Sequence, residues 1–259
     1  MTVALPIGLV PERTDDPREA LRLLEMDGAA ILETGTTEPA DAEAAAAAVL
    51  GDRLRRHRPP IGIRTNPVLG RGTHPDAERK NVLSDSSVAL DIHVDGYLQY
   101  GTVYPDYVFL LCAEPAERGG ESFLLDGQRL LTAIAGDPDE RDLWDFIWRT
   151  TIEHTTPTGV PHQCPIAVRT RGGRVTLRFN EHQRPLTPDA AVMSHLRRWS
   201  SLAYAAAADA PRFLLVPGQF LCVDNYRIFH GRDPYAGNRR LLHRVWAWSD
   251  AAIGIPADV

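Results

Sequence analysis

The chain has 259 residues, of which 44% are hydrophobic, and this supplies enough apolar surface for a sizeable core. Its formal net charge of −6, without any tract of lysine or arginine, argues against a nucleic-acid partner. The absence of a long apolar run, of a signal-like start and of paired cysteines predicts a cytoplasmic protein with no membrane partner, no disulfide framework and no zinc knuckle.

The first third of the chain predicts a helix, a strand, a second helix and a long loop. Residues 17–28 are amphipathic up to Gly28, and the apolar run after Gly28 predicts a strand. Residues 41–57 open with acidic side chains and close with arginines, which matches the helix dipole and predicts one helix. Residues 60–87 are rich in Pro, Gly, Asn and Asp, so we expect a long loop that closes over a substrate as a lid.

The rest of the chain is a series of short apolar runs separated by turn residues. These runs are VALDIHV (88–94), YVFLLCAE (107–114), ESFLLDG (121–127), TIEHTT (151–156), PIAVRT (165–170), RVTLRFN (174–180), RFLLVP (212–217), QFLCVDN (219–225) and LLHRVWAWS (241–249). Such a series is typical of an all-β sandwich or barrel, with one helix near residues 188–208 outside the sheet. No repeat or linker divides the sequence, which predicts a single domain over residues 1–259.

His93 and Asp95 share one face of the predicted strand, because residues two apart on a strand point the same way. A hydrogen-bonded pair at a strand end would account for them. The alternative is two ligands of a metal, with His230 as the third ligand from a distant strand. Two histidines and one carboxylate bind Fe(II) on one face and leave positions open for a co-substrate and O₂.

Other segments also hold pairs of possible ligands. His74 and Asp76 have the same spacing, but the proline between them disturbs a shared strand face. The pair His162 and Cys164 and the pair Glu153 and His154 lack a matching third ligand in the sequence.

The last strand places two arginines among apolar side chains. Alternation puts Arg240, Leu242, Arg244, Trp246 and Trp248 on one face. A buried arginine is costly unless it meets an anion, and a guanidinium pairs with a carboxylate through two parallel bonds. Arg244 is therefore suited to a dicarboxylate co-substrate, whereas a surface position with the stems lying on the sheet is the alternative for both arginines.

Four motifs together resemble those of the taurine dioxygenase-like (TauD/TfdA) family of Fe(II)/2-oxoglutarate-dependent oxygenases. They are HVDG (93–96), GGES (119–122), DNYRIFHGR (224–232) and RRLLHRVW (239–246), and they occur in the family's order. The resemblance implies a mainly β fold with flanking helices, built on a double-stranded β-helix (jelly-roll, cupin-like) core. It also implies a cofactor, Fe(II), and two co-substrates, 2-oxoglutarate and O₂.

The resemblance assigns roles to particular residues of this chain. His93, Asp95 and His230 correspond to the iron ligands of the family. Arg244 corresponds to the arginine that binds the far carboxylate of 2-oxoglutarate, with Arg240 as a second contact and Ser122 in the position of a hydroxyl that holds the same group. Gly119 and Gly120 have a turn role, and a turn role is also expected of Asp224 and Asn225.

The implied reaction is hydroxylation of an unactivated C–H bond of a small polar substrate, with succinate and CO₂ as co-products. Asp95 favours hydroxylation, desaturation or ring formation over halogenation, because related halogenases have a small residue there. We expect an amino acid or a derivative, in secondary metabolism, as the substrate. Candidate substrate contacts are Tyr97, Gln99, Tyr104, Arg178 and Asn180, with core packing or solvent exposure as the alternatives. The alternatives from other classes are a jelly-roll protein that binds metal without turnover and a zinc hydrolase that uses His93, Asp95 and His230.

Overall fold

A computed structural model describes residues 6–64, 87–154, 162–237 and 239–259. In chain order its strands are β1 (Gly8–Leu9), β2 (Glu12–Thr14), β3 (Ala29–Glu33), β4 (Leu54–His57), β5 (Ile61–Arg64), β6 (Leu90–His93), β7 (Tyr107–Glu114), β8 (Arg118–Gly119), β9 (Ser122–Asp126), β10 (Ile152–His154), β11 (Gln163–Cys164), β12 (Ala167–Arg169), β13 (Val175–Leu177), β14 (Gln183–Arg184), β15 (Gln219–Asp224), β16 (Ile228–Arg232), β17 (Tyr235–Ala236) and β18 (Leu241–Ser249). The α-helices are α1 (Pro17–Asp27), α2 (Pro39–Leu50), α3 (Tyr97–Tyr100), α4 (Gly127–Gly136), α5 (Arg141–Arg149) and α6 (Ala190–Asp209).

Two sheets face each other and form the core. The larger has seven strands in the order β2-β3-β15-β7-β18-β4, and β5 also pairs with β18. The smaller has four strands in the order β1-β9-β16-β6. Apart from the parallel pair β2–β3, the pairs within both sheets are antiparallel. This is the jelly-roll arrangement with flanking helices that the sequence predicts.

Alternating side chains divide each strand between the interior and a helical layer. In β15, Leu221 and Val223 point between the sheets, while Phe220 and Cys222 point outward to α1 and α2. Helices α4, α5 and α6 cover the outer side of the smaller sheet, where Phe229 lies in the same apolar cluster. Because both faces of the central strands are covered, β18 is buried along all of its length.

Two local predictions are wrong, and two helices were not predicted. The helix predicted over 41–57 ends at Leu50, since Gly51 has φ +52°, and Leu54–His57 instead pair with β18. The run 212–217 contributes only a bridge between Phe213 and Ser122, because Pro211 and Pro217 flank it. Helices α4 and α5, which begin after the capping carboxylate of Asp126 and after Glu140, were not predicted at all.

The predicted loop over 60–87 is only partly described. Ile61–Arg64 form β5, which pairs with the start of β18, so the loop prediction is wrong for these four residues. Residues 65–86, which include His74 and Asp76, lie outside the described residues, and the lid stays a prediction. The predicted helix near 188–208 is confirmed as α6.

Candidate metal centre and co-substrate cavity

Three side chains converge on one point between the sheets. His93 ends β6 and pairs in register with His230 of β16, while Asp95 follows two residues after His93. Nε2 of His93 lies 3.3 Å from Oδ1 of Asp95, and Nε2 of His230 lies 3.8 Å from the same oxygen. The three candidate ligand atoms all lie within 4.8 Å of one another. Antiparallel pairing therefore brings together residues that are 137 positions apart in the sequence, from 93 to 230.

The hydrogen bonds of this triad leave lone pairs directed at its centre. Nδ1 of His93 lies 2.8 Å from the carbonyl oxygen of Asp91, which can only accept, so Nδ1 carries the proton and Nε2 keeps its lone pair. Together with Nε2 of His230 and a carboxylate oxygen, this is a nitrogen and oxygen donor set suited to Fe(II). Within the described parts of the chain, it is the only cluster of His, Cys, Asp or Glu that fits a metal.

The second oxygen of Asp95 is held away from this centre. Trp246 donates from Nε1 to Oδ2 of Asp95 over 2.8 Å, and Arg244 donates from Nη1 to the same oxygen over 3.2 Å. Burial by itself raises the pKa of Asp95, but the Arg244 charge and the two adjacent histidines outweigh it and hold the pKa well below its usual value. Asp95 is therefore an ionised carboxylate with one oxygen free for a cation.

Asn225 fixes the backbone that carries Asp95. Its Oδ1 accepts from the Asp95 amide at 2.9 Å, and its Nδ2 donates to the carbonyls of Asp95 at 3.0 Å and Pro105 at 2.7 Å. Asp224 beside it accepts from Arg174 and from the Tyr226 amide. The turn role expected of both residues thus extends, for Asn225, to a direct contact with the metal-site loop.

A cavity of about 60 Å³ adjoins the triad between the two sheets. It is lined by the triad, by apolar side chains of both sheets and by Ser122, Arg232, Arg240 and Arg244. Arg244 lies at the triad end, because it contacts Asp95. Ser122 pairs in register with Arg232, two residues along the strands from the pair Leu124 and His230, and so lies about 7 Å from the level of the metal ligands.

Arg240 marks the same far end of the cavity as Ser122. The two residues also share a smaller neighbouring cavity of about 20 Å³, and Arg240 lies four residues before Arg244 on the same strand face. The guanidiniums of Arg240 and Arg232 both lie against the ring of Tyr235, at 5.3 and 4.5 Å. One end of the cavity therefore holds the triad, and the other end holds Ser122, Arg232 and Arg240.

The predicted substrate contacts lie outside this cavity. Tyr97 and Tyr104 are buried in the core beneath the helices, and burial raises the pKa of Tyr104 to about 12. Gln99 is partly exposed. Arg178 and Asn180 are buried near Tyr104, over whose ring the Arg178 guanidinium lies at 5.3 Å. The structure brings the metal and co-substrate candidates together and groups Tyr104 with Arg178.

The other candidate ligand pairs have different surroundings. Glu153 accepts a hydrogen bond from Nε of Arg184 at 2.8 Å. His154 donates from Nε2 to the Cys164 carbonyl at 3.0 Å, and its pKa is lowered to about 3, first by burial and then by the Arg178 charge. A neutral histidine that is hydrogen-bonded in this way has a structural explanation without a metal.

Two contacts of this site were not predicted. Arg232 is the second residue after His230, and Trp246 is the second residue after Arg244, so each shares a strand face with a residue already singled out. That spacing is the sequence signal for both.

Comparisons with known proteins agree with this geometry. Residues 9–246 match the family described as taurine catabolism dioxygenase TauD, TfdA family. Clavaminate synthase 2 of Streptomyces clavuligerus is 25% identical over 254 residues, which cover 92% of this chain and 75% of the relative.

Two solved structures share the fold at lower identity. Asparagine oxygenase in complex with Fe(II), 2S,3S-3-hydroxyasparagine and succinate has a TM-score of 0.64 and 19% identity, covering 89% of this chain and 78% of its own. The non-heme iron oxygenase OrfP in complex with Fe and alpha-ketoglutaric acid has a TM-score of 0.61 and 15% identity, covering 91% and 79%.

The chain belongs to the TauD/TfdA family and is an Fe(II)- and 2-oxoglutarate-dependent dioxygenase. The family, the jelly-roll fold and the enzyme class predicted from the sequence are thereby confirmed. No α-helix in the described ranges is long and apolar enough to span a membrane.

Proposed function

We propose that this enzyme hydroxylates an unactivated C–H bond of a small polar substrate, an amino acid or amino-acid derivative of secondary metabolism, and releases succinate and CO₂. The observation that carries the proposal is the convergence of His93, Asp95 and His230 beside an arginine-lined cavity. Asparagine oxygenase with bound hydroxyasparagine and OrfP with bound (3S)-hydroxy-L-Arg support an amino-acid substrate. The family match from residue 9 to 246 supports one oxygenase domain, and we place it in the cytoplasm.

His93, Asp95 and His230 are the proposed ligands of Fe(II). Bound there, the metal supplies the oxidative decarboxylation of 2-oxoglutarate with O₂. The residues of the chain fix the two histidine nitrogens and one carboxylate oxygen on a single side, which leaves the other side for the co-substrate. Trp246 and Arg244 keep the second oxygen of Asp95 turned away from that side.

Arg240 lies just before β18 and Arg244 lies within it, and we propose different roles for the two from those that the sequence suggested. Arg240 and Ser122 lie at the far end of the cavity, so we propose that they bind the far carboxylate of 2-oxoglutarate. Arg244 contacts Asp95 and therefore holds the metal end, where it orients that ligand and keeps it ionised. The apolar lining, including Leu110, Leu124 and Leu242, excludes water between the two ends.

Anaerobic addition of Fe(II) and 2-oxoglutarate tests the site. We expect a weak visible charge-transfer band in the wild type, no band in His93→Ala, and a band that requires a much higher 2-oxoglutarate concentration in Arg240→Met. Absence of the band in the wild type, or a band unchanged in both variants, would contradict the assignment.

A screen of amino acids and their derivatives, followed through succinate release, tests the reaction. Product mass then separates hydroxylation, which adds one oxygen, from desaturation or ring formation, which removes two hydrogens. Succinate release that no member of the panel stimulates would contradict the proposed substrate class.

A further inference from the structure

Two arginines four residues apart, the partly buried Arg174 and the buried Arg178, have opposite surroundings. Arg174 donates to Asp106 at 2.8 Å and to Asp224 at 2.6 Å, so two carboxylates balance its charge. Arg178 is only 3% exposed, yet its guanidinium has no ion pair or hydrogen bond with any residue that the structure describes, and its Nη1 is fully buried. Its described neighbour is the ring of Tyr104, 5.3 Å away.

A buried arginine without an anion is costly. Removing a charge from water costs several kcal/mol unless an opposite charge and hydrogen bonds compensate. A tyrosine ring offers a weaker electrostatic attraction than a carboxylate and accepts no parallel pair of hydrogen bonds. Arg178 therefore has the properties of a residue whose partner is a ligand.

Asn180 provides a second buried donor group. Asn180 is two residues further along, after Phe179, whose ring packs against Trp199 and Phe229. Oδ1 of Asn180 accepts from the His182 amide at 2.6 Å, whereas its Nδ2 is buried with no hydrogen-bond partner in the described ranges. Two unsatisfied donor groups, one charged and one neutral, are thus buried two residues apart in the chain.

Among the described residues, the polar groups that contact His154 and the Arg178 backbone provide no negative charge. His154 is neutral and donates to the Cys164 carbonyl. Gln183 donates from Nε2 to Nδ1 of His154 at 3.2 Å and to the Arg178 carbonyl at 2.9 Å. This network holds the backbone of Arg178 in place while its guanidinium keeps an uncompensated positive charge.

Short hydrogen-bonded links connect this cluster to the metal-site loop. Tyr104 follows nine residues after Asp95, and its carbonyl accepts from the hydroxyl of Tyr226 at 3.3 Å. The Tyr226 carbonyl in turn accepts from the Leu177 amide at 2.9 Å, next to Arg178. Tyr226 also follows Asn225, which binds the Asp95 backbone.

We propose that Arg178 and Asn180 bind a carboxylate group of the substrate. This rests on the proposed function, since it names the group by which the oxygenase recognises its substrate. One guanidinium and one amide carry a single positive charge, which matches a carboxylate better than a doubly charged phosphate. A planar guanidinium also pairs with the two oxygens of a carboxylate through parallel bonds.

Thermal unfolding of the full chain, in a zwitterionic buffer free of small anions, separates a ligand site from a structural role. Arg178→Met should leave the melting temperature unchanged or raise it, because it removes an uncompensated buried charge. The matched control Arg174→Met should lower it by about 10 °C, because it strands two buried carboxylates. An equal fall in melting temperature in the two variants would overturn the proposal.

Formate is the probe for the carboxylate. At about ten times its dissociation constant, formate should raise the melting temperature of the wild type by about 3 °C and leave Arg178→Met unaffected. An equal rise in both proteins would place the anion elsewhere and overturn the proposal. A rise with inorganic phosphate but none with formate would overturn the carboxylate assignment.

Once the succinate screen has identified a substrate, Arg178→Met should raise its KM by about 10- to 100-fold, with partial rescue in Arg178→Lys. An analogue in which a primary amide replaces the carboxylate should have a higher KM than the substrate in the wild type. In Arg178→Met the two compounds should have the same KM. An unchanged KM would refute the inference. The charge-transfer band of the wild type reports on the proposed function separately, because it needs only Fe(II) and 2-oxoglutarate.

Discussion

The indole of Trp246 is predicted to set the position of a metal ligand. Its Nε1 lies 2.8 Å from Oδ2 of Asp95, in a buried site, and Arg244 is the other described donor to that oxygen. A hydrogen bond to a charged group contributes about 1.5–3 kcal/mol. In Trp246→Phe the carboxylate keeps only the longer bond from Arg244 and becomes free to rotate.

Fe(II) affinity measures this effect. Loss of a partner that orients a metal ligand typically costs about 10- to 100-fold in metal affinity. We expect a loss of that size for Trp246→Phe in anaerobic Fe(II) titrations with saturating 2-oxoglutarate, followed through the charge-transfer band. The band should also shift in wavelength. A variant that is merely less stable, with its metal ligands in place, would keep the wavelength of the band.

Trp248 provides a matched control on the same strand face. Its Nε1 donates over 2.8 Å to the carbonyl of Val103 rather than to a metal ligand, and both indoles meet the Tyr100 ring edge-on. Trp248→Phe should therefore lower thermal stability while it leaves Fe(II) affinity unchanged. If both variants lose the same affinity, or if neither does, the reasoning from Oδ2 of Asp95 is refuted.

Three further predictions concern residues around the site. Asn225→Ala should lower the free energy of unfolding by about 3 kcal/mol, as measured by urea denaturation, because three buried hydrogen bonds are lost, two of them to the Asp95 backbone; a change below about 1 kcal/mol would contradict this. Gly231→Ala should destabilise by about 1–3 kcal/mol, because the new Cβ would lie 2.4 Å from the Phe123 ring; unchanged stability would contradict it. The pKa of His154 falls from 6.5 to about 3 on folding, so the unfolded state binds more protons between these pH values. The free energy of unfolding should therefore fall by about 1.4 kcal/mol per pH unit as the pH drops from 6.5. His154→Gln should lack this component when denaturation is measured as a function of pH.

The sequence predicts best what depends on strand periodicity. His93 and Asp95 share a face because they are two residues apart, and the same rule directs Arg240, just before β18, and Arg244, within it, to one cavity. These local rules, together with the order of the motifs, are sufficient to identify the family and the candidate metal ligands from the sequence.

Features that depend on which strands meet are not available from one sequence. Leu54–His57 carry two arginines and continue a helical charge pattern, yet they form a strand because β18 offers them an open edge. In the same way, the contact between Arg244 and Asp95, 149 residues apart, supports our proposal that Arg240 binds the far carboxylate, and one sequence does not show that contact.

β18 has a consequence for how the enzyme can vary. This strand pairs with β7, β4 and β5, is buried throughout and carries both Arg244 and Trp246. Its amides should therefore exchange with solvent only on global unfolding, whereas the segments that join the smaller strands should open more readily. We therefore expect changes in those segments to alter substrate choice without loosening the candidate metal ligands, so that one oxidative chemistry could serve different substrates.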